Sequence, residues 1–315
     1  MGVMVVVLML VLDKTKGLPL VEDVLAFSRG VKVIPSKNVR HPYTPQAKRR
    51  KKSFIKAMQN LKKEIFGELP MAVGEEVLEF KHANVYKCVT IAEKNKLVDL
   101  ARAKDLRAEY DMHYFRGEDF RIMTSMDIWW EDWYVDEILS LMRERHVRYP
   151  EYYDSTDRIL DLNFYSNFKL RYDKMSEEAT TVGGRSFTQL INEFEWDEDM
   201  INYVRGIRPY PVGMDWIGAK RVLAVMNINK THFVTLEILL HEGCMNVYDC
   251  LLMGRLEPMV TNDNKAACAS YSLAFIEHLI TKTTIQPPKT LLCDNAVRQM
   301  QWVWAAGIVS RSLDP

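Results

Sequence analysis

The chain lacks a net charge: 42 Lys and Arg residues are balanced by 42 Asp and Glu residues over 315 positions. No global field therefore draws it to nucleic acid or to a membrane surface. Cysteine is scarce and odd in number, five in all, and no two form a CxxC pair. This argues against a disulfide framework or a structural zinc site and for a reduced, intracellular compartment. The apolar run Val3 to Leu12 has ten residues, against the roughly 20 that span a bilayer. It has no basic segment before it and no small-residue cleavage site after it, so the simplest reading is a buried strand. A cryptic signal and a displaced start are the alternatives. Gly2 lacks the Ser or Thr that myristoylation wants at the sixth position. Internal repeats and low-complexity tracts are also missing.

What is present is ordinary globular material. Hydrophobic residues make up 48% and charged residues 27%, enough for a core in one large domain, or in one domain with an extension. The first third reads differently from the rest. After Pro42 and Pro45 comes a block of five consecutive cations, Lys48 to Lys52. Such a block repels itself and stays solvated. It suits a nuclear-import signal, a phosphate-binding arm or a plain exposed loop.

Beyond it, Leu97, Leu100, Ala101 and Ala103 fall at loose helical spacing. The stretch "IWWEDWYVDEILSLMRER" is the clearest helix, with Trp133, Ile138, Leu141 and Met142 on an apolar stripe. Arg143 and Arg145 suit its C-terminal end, and Tyr149-Pro150 stops it. In "RILDLNFYSNFKLRY" the alternation of Leu160, Leu162 and Phe164 predicts a short strand running into a turn. Residues 187–206 predict one helix or two, ending at Gly206. Then come three apolar runs with short connections: Val222 to Ile228, His232 to Leu239, and Met245 to Cys250. They predict an antiparallel meander. "CASYSLAFIEHLI" and "DNAVRQMQWVWAAGI" return to helical period. The class is α+β, with helices first, a small sheet, and helices packing on it.

Three residues stand out on this layout. His232 opens the second strand of the meander. Asp249 sits near the end of the third, where antiparallel pairing sets it opposite roughly residue 235. Cys268 precedes a helix, whose N–H groups and dipole favour a thiolate. His, Asp and Cys are the base, orienting acid and nucleophile of a cysteine hydrolase. Spacing alone leaves the bland alternatives open: a satisfied histidine, turn chemistry at "YD", and a packing cysteine.

The stretch "VLAVMNINKTHFVTLEILLHEGCMNVYDCL" resembles the core of the ubiquitin-like-protein-specific proteases, the deSUMOylating cysteine peptidases, and in particular their plant, often transposon-encoded branch. In that family a His precedes an aromatic residue, here His232 and Phe233, and "VYD" carries the acid, here Asp249. "NDNKAACASYSLAFIEHL" resembles the element bearing the nucleophile, here Cys268. "WWEDWYVDEILSLMRER" resembles the helix start whose Trp clamps the Gly-Gly tail of the modifier, and Trp129 matches best. The likeness covers roughly residues 115–310. It implies a papain-like fold with a small antiparallel sheet packed between helices, over residues 115–315, and an extension over residues 1–114. It also implies cleavage after the C-terminal Gly-Gly of a SUMO-type modifier by Cys268, His232 and Asp249. Trp129 and Phe233 would bind substrate, and Asn262 would stand near the position of the oxyanion Gln. No cofactor or metal is implied. The partner is a ubiquitin-like modifier or its conjugates, the chain is a monomer, and its location is nuclear or cytoplasmic.

Three departures support a second reading, a degenerate copy of the fold that binds protein without cleaving it. Ala267 replaces the usual Asp, Ala269 replaces the usual Gly, and the Asp249–Cys268 connection is short. A third reading makes the chain a nucleic-acid-associated accessory protein acting through Lys48–Lys52.

Overall fold

The three apolar runs between residues 221 and 248 pair into a meander. In the computed structural model they are β5 (Arg221–Ile228), β6 (His232–Leu239) and β7 (Cys244–Tyr248). The structure describes residues 31–32, 83–85, 87–103, 107–110, 113–181, 183–186, 189–190, 197–240, 242, 244–250, 265–281 and 294–310. The Val3–Leu12 run, the basic block Lys48–Lys52 and Asn262 lie outside these residues.

The elements before the meander are β1 (Val31–Lys32), α1 (Ile91–Arg102), β2 (Arg107–Tyr110), β3 (His113–Arg116), α2 (Gly117–Met123), α3 (Asp132–Arg148), β4 (Asp157–Ile159), α4 (Leu162–Thr180) and α5 (Glu198–Val204). After it come a short 3-10 turn (Lys265–Ala267), α6 (Cys268–Ile280) and α7 (Asp294–Ser310). The main sheet has the order β1-β7-β6-β5-β4, and β2 and β3 form a separate hairpin. The class is α+β. The sheet is mixed rather than purely antiparallel, because β4 runs parallel to β5 and β1 parallel to β7. The chain leaves β4 and returns as β5 only after α4 and α5, and such a crossover makes the strands parallel. The β2–β3 pairing spans residue 115, and α1 packs on α2 and α7. The packed unit therefore includes residues upstream of 115.

Strand alternation divides the core in two. On β5, Val222, Ala224, Met226 and Ile228 face α4 and α5, while Leu223 and Val225 face the layer of α3, α6 and α7. The period of two along a strand requires this. All residues of α6 are buried, as expected for a helix that is apolar nearly all round. Each large apolar side chain fully buried here contributes about 1.5–3 kcal/mol.

Two local expectations change. The stretch after Ile159 is a helix rather than a strand. Asp161 caps it, its carboxylate accepting from the Phe164 N–H at 3.1 Å and from the Tyr203 hydroxyl at 2.6 Å. An Asp cap satisfies one of the first-turn N–H groups. Phe164, Phe168 and Tyr172 then bury at helical spacing. The other change is α3, which is buried well beyond its apolar stripe and takes Glu137, Arg143, Arg145 and His146 inside. Its polar residues are matched by distant partners. Arg145 pairs with Glu277 of α6, and Glu277 also accepts from the Trp304 indole at 3.0 Å.

A second buried pair ties β4 into the sheet. The Arg221 guanidinium donates to Asp157 at 2.8 Å, to Glu237 at 3.1 Å and to the Leu279 carbonyl at 2.8 Å. Glu237 also accepts from Tyr248 at 2.8 Å and from Asn246 at 2.7 Å. Removing one partner strands the other charges away from water. Arg221→Ala is expected to cost about 3 kcal/mol, read as a lowered urea midpoint with an unchanged slope. A midpoint equal to wild type would show that the cluster is dispensable.

Candidate active site

The β5–β6 turn sets the first residue of the site. Asn229 and Lys230 take positive φ, 53° and 57°, the left-handed values a tight hairpin needs. The Thr231 N–H closes the turn on the Ile228 carbonyl at 3.0 Å. His232 is thus the first residue of β6, directly after the turn that joins it to β5.

Asp249 follows β7 directly. The register pairs Thr235 with Tyr248, so residue 249 comes level with residue 234. That is one position nearer His232 than sequence counting suggests. The imidazole Nε2 meets the Asp249 carboxylate at 2.8 Å. With Nε2 engaged, Nδ1 is the nitrogen left for other chemistry. It is buried, and no hydrogen bond of ordinary geometry reaches it.

Cys268 comes from the other side, as the first residue of α6. Its sulfur accepts the backbone N–H of Phe233 at 3.3 Å, the residue next to His232. Residue 267, the N-cap, is alanine and makes no side-chain cap. The first N–H groups of α6 thus receive no cap from that side chain, and the helix dipole favours negative charge there. The Thr235 hydroxyl donates to the Ser272 carbonyl at 2.6 Å and holds α6 against β6.

The charge state of His232 follows from these neighbours. Burial alone would lower its pKa. The Asp249 carboxylate and the Cys268 sulfur outweigh burial and raise it to about 9. An imidazolium there is stabilised from both sides, as an orienting acid and a nucleophile would stabilise it.

The aromatic residues lie beside this group. Phe233 is fully buried and stacks on half-buried Trp129, ring centroids 5.2 Å apart. The Trp129–Phe233 pair therefore flanks His232. Ala267 and Ala269 are also buried, so the methyl group of Ala269 stands in the core and not in open space before the sulfur. Cys268 itself has no solvent exposure. The structure thus brings together His232, Asp249, Cys268, Phe233 and Trp129, while Asn262 lies outside the described residues.

One residue of the cluster was not anticipated. Cys250, half-buried and directly after Asp249, has its sulfur within 4.8 Å of a donor atom of each of His232 and Asp249. Its signal in the sequence is its place in "VYDC", directly after the acid.

No family model matches the chain, and no curated protein matches it. Among solved structures it is similar to the SUMO protease Ulp1 with the catalytic cysteine oxidised to a sulfenic acid. The TM-score is 0.47 at 10% identity, over 73% of this chain and 99% of that chain. It is also similar to the C-terminal Ulp1 protease domain in complex with Smt3, the yeast ortholog of SUMO. There the TM-score is 0.45 at 9% identity, over 72% of this chain and 98% of that chain. At this level of similarity the side-chain geometry of the site, and not the overall likeness, bears on function.

Proposed function

We propose that this protein is a cysteine peptidase or isopeptidase that cleaves after the C-terminal Gly-Gly of a ubiquitin-like, SUMO-type modifier. The observation that carries the reading is the placement of His232 between the Asp249 carboxylate, at 2.8 Å, and Cys268 at the start of α6. The motif resemblance, including that to the plant, transposon-associated branch, supplies the substrate class.

In the first step the Cys268 thiolate attacks the carbonyl carbon of the terminal Gly, and a C–S bond forms as the C–O double bond opens. N–H groups at the start of α6 take the oxyanion, with Asn262 as the additional donor. When the C–N bond breaks, His232 gives its Nδ1 proton to the departing lysine amine. Water, deprotonated by His232, then attacks the thioester, releases the modifier with a free carboxylate and restores the thiol. Asp249 keeps the imidazole oriented throughout and offsets its positive charge. Trp129, stacked on the buried ring of Phe233, forms one wall for the narrow Gly-Gly tail. A nuclear or cytoplasmic location and a monomeric state belong to the same proposal. Among the described residues no helix is long and apolar enough to cross a membrane.

The complete burial of Cys268 favours a second reading, a catalytically silent copy that binds a modifier without cleaving it. One experiment separates the two. A SUMO-type modifier with an electrophilic C-terminal trap is expected to form a covalent adduct with the wild type and with Cys88→Ala, and none with Cys268→Ala. Binding of the modifier without any adduct would establish the silent copy instead.

A further inference from the structure

His232, Asp249 and Cys250 each offer a ligand atom, and these three atoms lie within 4.8 Å of one another. The set combines imidazole, carboxylate and thiolate donors. Mg²⁺ and Ca²⁺ are hard ions that take oxygen ligands, whereas this combination suits Zn²⁺. Zinc bonds of about 2.0–2.3 Å put tetrahedral ligands roughly 3.3–3.7 Å apart. The 2.8 Å contact between His232 Nε2 and Asp249 and the 4.8 Å bound on the Cys250 sulfur lie to either side of that spacing. The donors meet at one end of the meander, His232 from the start of β6 just after the β5–β6 turn and the Asp249–Cys250 pair from just beyond β7. No local CxxC or HxxxH spacing announces the site, because the β6–β7 register creates it.

We infer that His232, Asp249 and Cys250 form a Zn²⁺ site that switches the peptidase off reversibly. The metal replaces the protons on the imidazole nitrogen and the Cys250 thiol, and water fills the fourth position. With Zn²⁺ on Nε2, the one remaining ring proton sits on Nδ1 of a neutral imidazole. His232 then takes no proton from Cys268 and is too weak an acid to protonate a leaving amine, and Asp249, now a ligand, no longer orients it. This regulatory role rests on the proposed peptidase activity. The metal site itself does not.

The test uses the full chain, reduced and free of chelator. Titrating Co²⁺ into the wild type is expected to raise tetrahedral visible absorption and a thiolate-to-cobalt charge-transfer band, and Zn²⁺ should then displace both. The band should persist in Cys268→Ala and vanish in Cys250→Ser. Zn²⁺ affinity in Cys250→Ser should drop by at least about 100-fold, beyond the usual loss of an outer-shell partner. Circular dichroism of Cys250→Ser shows that the variant is folded, and His232→Ala serves as an independent ligand deletion that should also remove the band. In turnover of a modifier conjugate, Zn²⁺ should inhibit the wild type and spare Cys250→Ser. Absence of the charge-transfer band in the wild type overturns the site, as does a band that survives Cys250→Ser but disappears in Cys268→Ala. If no conjugate is cleaved while the cobalt spectra behave as stated, the peptidase reading fails and the metal site stands.

Discussion

Cys268→Ala is expected to lower the rate of cleavage after a C-terminal Gly-Gly by about 10⁴–10⁶-fold, the scale on which loss of a nucleophile acts in a residue set working as a unit. The reason is chemical. Without the sulfur no thioester forms, and the one remaining route is direct attack by water, aided by whatever oxyanion donors the start of α6 supplies. Single-turnover kinetics with a modifier–lysine conjugate gives the number. Replacing Cys88, the exposed thiol before α1, is expected to leave the rate within a factor of two or so, since surface changes away from a site have little effect. The stability of Cys268→Ala should fall by about 1–3 kcal/mol, because the buried sulfur that accepts the Phe233 N–H is lost, and this leaves the fold intact. A rate unchanged by Cys268→Ala would eliminate Cys268 as nucleophile, however well the fold survived.

Asp249→Asn should have the second largest effect, and its pH profile is more informative than its size. In the wild type the His232 pKa stands at about 9 against its ordinary 6.5. Burial opposes this, and the Asp249 carboxylate and the Cys268 sulfur override burial. The sign follows directly. A raised histidine pKa means that the imidazolium contributes its stabilisation in full below about 6.5. That contribution is lost as the pH rises through about 9. Turnover should track the same group, because the imidazolium is the acid that protonates the leaving amine. The wild-type rate should therefore decline on an alkaline limb near 9. Asn keeps the shape of Asp249 and removes its charge. The limb should move to lower pH, and the rate at neutral pH should fall by about 10²–10⁴-fold, as when a triad acid is replaced by its amide. A purely structural role for Asp249 would reduce the rate without moving the limb.

The two rate predictions and the metal site share a single geometric origin. His232 and Asp249 are 17 residues apart, and Cys268 arrives from a separate helix. They meet because β6 begins at His232, because the β6–β7 register brings residue 249 level with residue 234, and because α6 packs across β6 with its N-terminus at that same end.

Much of this was legible from local pattern. Period-two alternation with short connections marked β5, β6 and β7. The apolar spacing of "CASYSLAFIEHLI" marked α6, and the order of His, Asp and Cys suggested a nucleophile with its base. Each of these signals is carried by residues near one another in the chain. The misreadings share a cause as well. Leu160, Leu162 and Phe164 alternate as in a strand, yet the Asp161 cap and the buried spacing of Phe164, Phe168 and Tyr172 make the segment a helix. Three apolar positions are too few to distinguish the two periods, and a tertiary environment decided between them.

The amino-acid sequence alone determined the elements of the meander and of α6, the class, and the residue types able to do thiol chemistry, because side-chain periodicity and intrinsic reactivity are local properties. Only the tertiary structure decided the parallel placement of β4, the burial of Glu137, Arg145 and Glu277, and the distance from His232 to Asp249. It alone also decided the enclosure of Cys268 and the approach of Cys250 to the same imidazole. Those depend on strand register and on helix packing between segments far apart in the chain, where a shift of one residue would carry every side chain to the opposite face.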